Sequence, residues 1–465
     1  MSNNTDVKML RNKLFFNHIN IYSIVSDKEL KYVESFAEDY KKFLNDAKTE
    51  REAISYFLKS ANENGFEEFD VDKKYEPGSR VYRINREKSV AFAIIGKEGC
   101  KNGFRLVVSH VDSPRLDLKP HPLYEKNELA LFKTHYYGGI KKYQWTTLPL
   151  ALHGKVILKD GTRISVVIGE KEDDPCFCVT DLLPHLAKEQ MAKAMTKAIE
   201  GEDLNVLVGS LPFKTGGGSE LVKLNILNIL NEKYGIIESD FSFAEFEMVP
   251  AFKARDIGFD KSLIGAYGHD DRCCGYTSFQ SLINLKIPEK TCIALFVDKE
   301  EIGSDGNTGM KSSFAKHFLG DLTLHDGIKN RIVFYKSKAI SADVNAAFDP
   351  NFAAQYDALN SSYINKGVVI TKYTGSGGKA GASDASAEFM GEIREMFERK
   401  KIVWQSGQLG KVDAGGGGTV AKYVANLNID VVDMGIPLLS MHAPFEVISK
   451  LDLYEMSRAI SAFFE

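Results

Sequence analysis

Short apolar runs bounded by polar turns recur along the chain and predict buried strands. The clearest is Cys292–Val297, a run of apolar residues that leads into Asp298, two adjacent glutamates and a glycine. Further strands are predicted at residues 80–84, 90–95, 104–108, 332–335 and 431–434. Because these runs are short and mostly apolar, and Cys292–Val297 is apolar throughout, we expect them to form the buried strands of a sheet.

Apolar residues spaced three and four positions apart alternate with these runs and predict helices. Between residues 27 and 64 the spacing of Tyr32, Phe36 and Tyr40 begins a pair of core-packing helices. Other helices are predicted up to Leu285 and at residues 311–319, 381–398 and 450–464. Strands that alternate with helices are typical of an α/β fold.

The stretch from residue 119 to residue 249 has a different pattern. A predicted strand pair, residues 155–159 and 163–168, flanks the turn Asp160-Gly161, and a helix is predicted at residues 182–197. Residues 216–218 are three glycines, which predict a flexible loop without the lysine of a phosphate-binding loop. We expect an inserted β-rich unit at 119–249 within a discontinuous domain formed by residues 1–118 and 250–465.

Composition and charge exclude several classes of protein. The chain has 465 residues, 44% hydrophobic and 26% charged, which is enough for two globular domains. A net charge of −4 gives no indication of a nucleic-acid partner or an anionic membrane surface. No apolar run approaches the roughly 20 residues that span a bilayer, and the first residues lack the apolar core of a signal peptide. Six cysteines at these spacings are expected to be reduced thiols in a cytoplasmic protein.

Candidate chemistry is concentrated at the predicted strand ends and turns. Taken alone, Glu300-Glu301 could be a solvated acidic turn. Beyond a strand of an α/β sheet, however, one glutamate can bind a metal while its neighbour acts as a general base. The full set of candidate ligands and base is His110, Asp270, Glu300, Glu301, Asp343 and His442.

Two histidines and several carboxylates suit zinc, cobalt or manganese. One carboxylate that bridges two ions about 3.5–4 Å apart would give each ion three protein ligands. Asp112, two residues after His110, is placed to hold the other imidazole nitrogen and fix the tautomer.

These residues lie in five ordered motifs through which the chain resembles the M18 aminopeptidases, the family of aspartyl aminopeptidase and yeast aminopeptidase I. The motifs are residues 109–114 (SHVDSP), 268–272 (GHDDR), 298–304 (DKEEIGS), 341–343 (SAD) and 440–442 (SMH). The resemblance covers nearly the whole chain. It implies a mixed-sheet catalytic domain of the phosphorylase/hydrolase-like type with an inserted dimerisation domain.

The resemblance also implies a role for each residue. Asp270 would bridge two divalent ions, with Glu301 and His442 completing one position and His110 and Asp343 completing the other. Glu300 would take a proton from the attacking water and return it to the leaving amine, and a cis peptide bond would follow Asp270. The substrates would be peptides with a free N-terminus.

The family also implies a homo-oligomer built from dimers, up to a dodecamer. Within the inserted domain, His185 resembles a histidine that reaches the active site of a neighbouring protomer, and we expect it to contact substrate or the transition state. The family pattern can also be aligned so that this histidine falls at Glu189, and His153 is a further alternative. A plain subunit contact is the other interpretation.

The preferred N-terminal residue stays open. Lys372 matches the lysine with which aspartyl members meet an acidic side chain, but a surface lysine is the alternative. Residues 374–379 and Asn345 depart from the aspartyl pattern and leave neutral or hydrophobic substrates open. The alternatives to an aminopeptidase are a di-zinc carboxypeptidase or amidohydrolase of related core, and an assembly protein that keeps the fold without turnover.

Overall fold

A nine-stranded mixed sheet is the centre of the computed structural model, which describes residues 2–214 and 217–465. Its four central strands are parallel, and the outer strands include antiparallel neighbours. In spatial order the strands are Glu67–Glu68, Arg80–Asn85, Ser89–Ile94, Cys292–Val297, Arg105–His110, Lys338–Ala342, Asp430–Gly435, Val368–Thr371 and Trp404–Ser406.

Helices cover both faces of this sheet. Along Cys292–Val297, Ala294 and Phe296 pack into one hydrophobic cluster, while Ile293 and Leu295 pack into the other. The strand is therefore apolar at every position, because neither of its faces meets water. The first face carries the helices Asp27–Asp46, Glu50–Glu63, His269–Ile283, Ala387–Lys400 and Lys450–Phe464, and the second carries Ser313–Asp321, Asn330–Lys336 and Ala421–Ala425.

A second, seven-stranded antiparallel sheet is formed by residues between Arg115 and Pro250. It has its own hydrophobic cluster, which includes the fully buried Trp145, and it packs against the helix Leu221–Tyr234. In spatial order its strands are Arg163–Ile168, Leu150–Ile157, Glu245–Pro250, Arg115–Lys126, Leu129–Tyr137, Val206–Gly209 and Cys178–Val179. Thr215 and Gly216 lie outside the described residues, so the predicted glycine loop is described only at Gly217 and Gly218.

Smaller elements complete the fold. A five-stranded sheet contains Arg255–Ile257, Leu263–Ala266, Glu446–Ser449, Pro437–Leu439 and Asn345–Ala346, and Gly375–Ser376 pairs with Gly416–Gly417. The remaining α-helices are Ser2–Leu14, Lys188–Met191 and Met195–Ala198. The 3₁₀ turns are Ile21–Ser23, Lys142–Trp145, Pro184–Leu186, Gly201–Asp203, Glu238–Phe243, Glu300–Ile302, Leu324–Asp326 and Pro350–Gln355. In the described part of the chain we find no helix with the length and apolarity that a bilayer crossing requires.

Three predicted elements differ from the structure. The strand predicted at residues 332–335 is wrong: these residues belong to the helix Asn330–Lys336, and the strand is Lys338–Ala342. The pattern misleads because a short apolar run fits a buried helix turn as well as a strand. The continuous helix predicted at residues 182–197 is a series of short helical turns. Their apolar side chains are largely exposed, so packing against a hydrophobic core does not stabilise one long helix. The helix predicted at 381–398 is Ala387–Lys400, where the Ser386 side chain caps the first turn.

Candidate metal centre

The candidate residues converge at one edge of the nine-stranded sheet. His110 ends one parallel strand, and Glu300 and Asp343 lie just after the two strands that flank it. Asp270 stands in the first turn of the helix His269–Ile283, and His442 follows a strand of the five-stranded sheet. The carboxyl ends of parallel strands meet at a common edge, which is where open α/β sheets bind their ligands.

Two groups of possible metal ligands share Asp270. In the first, His110 Nε2 lies 3.1 Å from Asp270 Oδ1 and 3.9 Å from Asp343 Oδ1. In the second, His442 Nε2 lies 3.3 Å from Asp270 Oδ2 and 3.4 Å from Glu301 Oε2. Within each group the candidate ligand atoms lie within 4.8 Å of one another. Each oxygen of Asp270 therefore faces a different histidine, as a bridging carboxylate would require.

Both histidines are oriented by backbone carbonyl groups. His110 Nδ1 lies 3.0 Å from the carbonyl oxygen of Asp112, and His442 Nδ1 lies 2.9 Å from that of Gly139. A carbonyl oxygen only accepts hydrogen bonds, so in the neutral imidazoles Nδ1 carries the proton. The Nε2 lone pairs are then free to bind a metal.

The carboxylates of this cluster are crowded and poorly solvated. Burial raises the pKa of Glu301 and of Asp343 well above the usual range of carboxyl groups, and the negative charge of Asp270 raises each pKa further. Among the described residues, Glu301 Oε1 is buried without a hydrogen-bond partner. Divalent cations would offset this repulsion, and a donor set of imidazole nitrogens and carboxylate oxygens suits zinc.

Asp112 holds the turn that carries the two glutamates. Its Oδ1 accepts from the N–H of Glu300 at 3.1 Å, and its Oδ2 accepts from the N–H of Glu301 at 3.2 Å. Oδ1 also lies 3.3 Å from His110 Nδ1, which is the contact that sequence reasoning expected. Glu300 itself faces a neighbouring cavity, and burial raises the pKa of its carboxyl group.

The peptide bond between Asp270 and Asp271 is cis, as the family resemblance implied.

Three contributors to this site were missed by sequence reasoning. Besides the Gly139 carbonyl group, Tyr137 donates its hydroxyl hydrogen to Asp112 Oδ2 at 2.8 Å. Glu446 accepts from the N–H of Asp270 at 3.1 Å and from the N–H of His442 at 2.7 Å. These residues belong to none of the five motifs, so nothing in the chain pattern indicates their contacts.

A cavity of about 280 Å³ opens onto the cluster, and Asp270, Asp343 and His442 are part of its lining. Its lining includes Glu300, Met441 and Lys379 together with the glycine loop at residues 415–418. Thr371 and Tyr373 also line it, whereas Lys372 between them is exposed.

The alternatives proposed for a substrate-contacting histidine lie elsewhere. His185 and Glu189 are exposed in the short helical turns Pro184–Leu186 and Lys188–Met191. His153 is buried between Glu52 and Glu170, at 2.7 and 3.1 Å. Within the described ranges, neither His185 nor Lys372 is among the residues that line the cavity. Their substrate contacts therefore stay predictions.

Comparison with known proteins matches almost the whole chain. A family model described as aminopeptidase I zinc metalloprotease (M18) matches residues 43–464. A Clostridium acetobutylicum protein named probable M18 family aminopeptidase 1 is 48% identical over 460 residues, covering 97% of this chain and 99% of the relative.

Solved structures agree with this match. The crystal structure of an M18 family aminopeptidase from Thermotoga maritima has a TM-score of 0.93 and 44% identity, and covers 97% of this chain and 100% of that one. Aminopeptidase I from Clostridium acetobutylicum has a TM-score of 0.92, 47% identity and the same coverage. The S. cerevisiae mApe1 dodecamer structure has a TM-score of 0.75 and 19% identity, and covers 93% of this chain and 97% of that one. At this level of identity, the likeness supports the fold and nothing further.

Proposed function

The chain belongs to the M18 family of zinc aminopeptidases, and from this premise we propose that the cluster around Asp270 is its catalytic centre. His110 and Asp343 would hold one divalent ion, Glu301 and His442 would hold the other, and Asp270 would bridge them. The single observation that carries this proposal is that the two oxygens of Asp270 face the Nε2 atoms of two different histidines.

Glu300 is the proposed general base. When bound, the two ions supply Lewis-acid chemistry that polarises the peptide carbonyl group and acidifies water. Glu300 takes a proton from the attacking water and returns it to the leaving amine. Three observations support this role: Glu300 faces the cavity, its N–H is fixed by Asp112, and burial raises the pKa of its carboxyl group.

The cavity beside Glu300 is the proposed site for the N-terminal side chain of the substrate. Its lining combines apolar Met441, Leu409 and Val412 with Lys379 and Lys411. Apolar contacts would favour neutral N-terminal residues, and the lysines would favour acidic ones. Lys372 would join Lys379 and Lys411 in favouring acidic residues if a loop movement or a partner subunit turned it toward the substrate.

Residues 119–249 are proposed to be the dimerisation domain of a homo-oligomer, up to a dodecamer such as that of the yeast relative. Exposed apolar side chains in this unit support the proposal, because such patches mark protein contacts. Leu186, Met191 and Met195 are 68%, 70% and 67% exposed. His185 lies among them and would reach the active site of a neighbouring protomer. A cytoplasmic location is also proposed, in keeping with the six free cysteines.

The deciding experiment is a panel of N-terminal residue amides assayed with the purified protein, with zinc supplied and then chelated. Metal-dependent release of one residue class is expected. Preference for Asp or Glu would assign a substrate contact to Lys372, Lys379 or Lys411, and alanine variants would separate the three. Preference for Leu or Met would favour the apolar lining. No turnover with zinc, cobalt or manganese would contradict the proposed centre and favour an assembly protein.

A further inference from the structure

The end of one strand of the second sheet touches the metal centre at two points. This strand, Leu129–Tyr137, is followed by Gly138 and Gly139. The Tyr137 hydroxyl donates to Asp112 Oδ2 at 2.8 Å, and the Gly139 carbonyl oxygen lies 2.9 Å from His442 Nδ1. A segment of the inserted unit thus contacts the immediate support of His110 and the imidazole of His442.

The Tyr137 ring is held firmly enough to aim its hydroxyl group. Tyr137 is paired with Arg115 in the strand register, and the Arg115 guanidinium lies 4.0 Å from the ring centroid. Arg115 is in turn fixed by Glu50 and Glu247, at 3.2 and 3.3 Å. With Tyr137 only 8% exposed and Asp112 fully buried, this hydrogen bond is shielded from water.

The two glycines let the backbone pass close to the ligands. Gly138 has φ +78°, and a Cβ atom there would stand 3.4 Å from Glu301 Oε2 and 3.3 Å from Pro114. A Cβ atom at Gly139 would stand 3.3 Å from His442 Nδ1. The segment therefore packs directly against two of the proposed ligands, and larger residues would press on them.

We propose that Tyr137 is a positioning residue for metal binding, which acts through Asp112 and joins the inserted sheet to the catalytic centre. Asp112 accepts hydrogen bonds at both oxygens, and the Tyr137 hydroxyl shares Oδ2 with the N–H of Glu301. Without the hydroxyl, that oxygen loses one of its donors and the carboxylate can rotate away from His110 and the glutamate turn. The inference rests on the metal positions proposed above.

The test is Tyr137→Phe, which keeps the ring on Arg115 and removes only the hydroxyl group. Zinc affinity, measured by competition with a chromophoric chelator, is expected to fall about 10- to 100-fold at one position or both. The Tm of the metal-free protein should change little. Tyr136→Phe is the matched control, since Tyr136 is the strand neighbour and is 41% exposed.

Action through Asp112 is tested by combining Tyr137→Phe with Asp112→Asn. In the Asp112→Asn background, adding Tyr137→Phe should change zinc affinity by no more than about twofold, because the Tyr137 hydroxyl acts only through the Asp112 carboxylate. The inference would be overturned if Tyr137→Phe kept the zinc affinity of the unsubstituted protein, or if the losses of zinc affinity in the two single variants added fully in the double variant. Neither result would contradict the proposed metal centre. Fewer than two zinc ions per protomer in the unsubstituted protein would overturn both the proposed metal centre and the role of Tyr137.

Discussion

Asp112 accepts a hydrogen bond from the backbone N–H of Glu300 across 188 positions of the chain. Asp112 follows one parallel strand, and Glu300 follows its neighbour in the sheet. Because Asp112 also accepts from the N–H of Glu301, both residues of the turn are fixed at the backbone. This arrangement directs the Glu301 carboxylate toward His442 and leaves Glu300 facing the cavity. One carboxylate thereby separates the two roles proposed for adjacent glutamates.

Glu300→Gln is expected to lower kcat by at least about 100-fold, since an amide cannot take the proton of the attacking water. Zinc content should stay at the level of the unsubstituted enzyme, because Glu300 is outside both ligand groups. Steady-state hydrolysis of an N-terminal residue amide measures kcat, and elemental analysis measures the zinc content. Glu289→Gln, at an exposed ion pair with Lys97, is the control. Hydrolysis near the original rate would refute the base assignment.

Asp270→Ala should lose both ions, whereas Glu301→Ala should lose only the ion shared with His442. The difference follows from Asp270 facing both histidines and Glu301 facing one. Zinc per protomer after dialysis against metal-free buffer, measured by mass spectrometry of the element, distinguishes the variants. Two ions retained in Asp270→Ala would contradict the bridging role.

Buried His153 lies away from the metal centre, and we expect it to make part of the free energy of unfolding depend on pH. Burial opposes its protonation, but hydrogen bonds to Glu170 and Glu52 outweigh burial and raise its pKa from 6.5 to about 9. A raised pKa means that the stabilisation is complete below pH 6.5 and is lost as the pH rises through 9. It amounts to at most about 3 kcal/mol.

The Tm of His153→Gln should therefore lie well below that of the unsubstituted protein at pH 6, and the gap should narrow by pH 9.5. His135→Gln, at an exposed position on the same sheet, controls for loss of a histidine. Calorimetric scans at several pH values make the comparison. A gap that stays constant with pH would show that His153 is not protonated in the folded protein.

Most strands of the sheet core and the convergence of the candidate ligands could be predicted from the sequence, because apolar runs and strand ends are local features of the chain. Apolar runs such as Cys292–Val297 mark strands buried on both faces, and each candidate ligand lies at the end of a strand, just beyond one or at a helix start. The carboxyl ends of adjacent parallel strands necessarily meet, so residues such as His110 and Glu300 come together.

What could not be predicted depends on long-range pairing or on burial. The bond between Gly139 and His442 joins residues 303 positions apart, and a single sequence carries no signal for such a pair. Residues 332–335 have an apolar pattern that fits either a helix or a strand, and only packing of Val333 and Phe334 decides for the helix. The apolar spacing at 182–197 resembles a helix that would need a core, yet Leu186 and Met191 are exposed.

Glu446→Gln tests whether the backbone around the bridging ligand must be held by a carboxylate. The two oxygens of Glu446 accept from the N–H groups of Asp270 and His442, and its side chain is buried. A glutamine has only one acceptor oxygen, so its NH₂ group would face one of these N–H donors. A buried donor left unpaired costs about 1–3 kcal/mol. We expect a lower Tm together with zinc affinity reduced about 10- to 100-fold. Calorimetry and chelator competition measure the two effects. A variant that loses Tm but keeps full zinc affinity would show that Glu446 stabilises the fold without positioning the ligands.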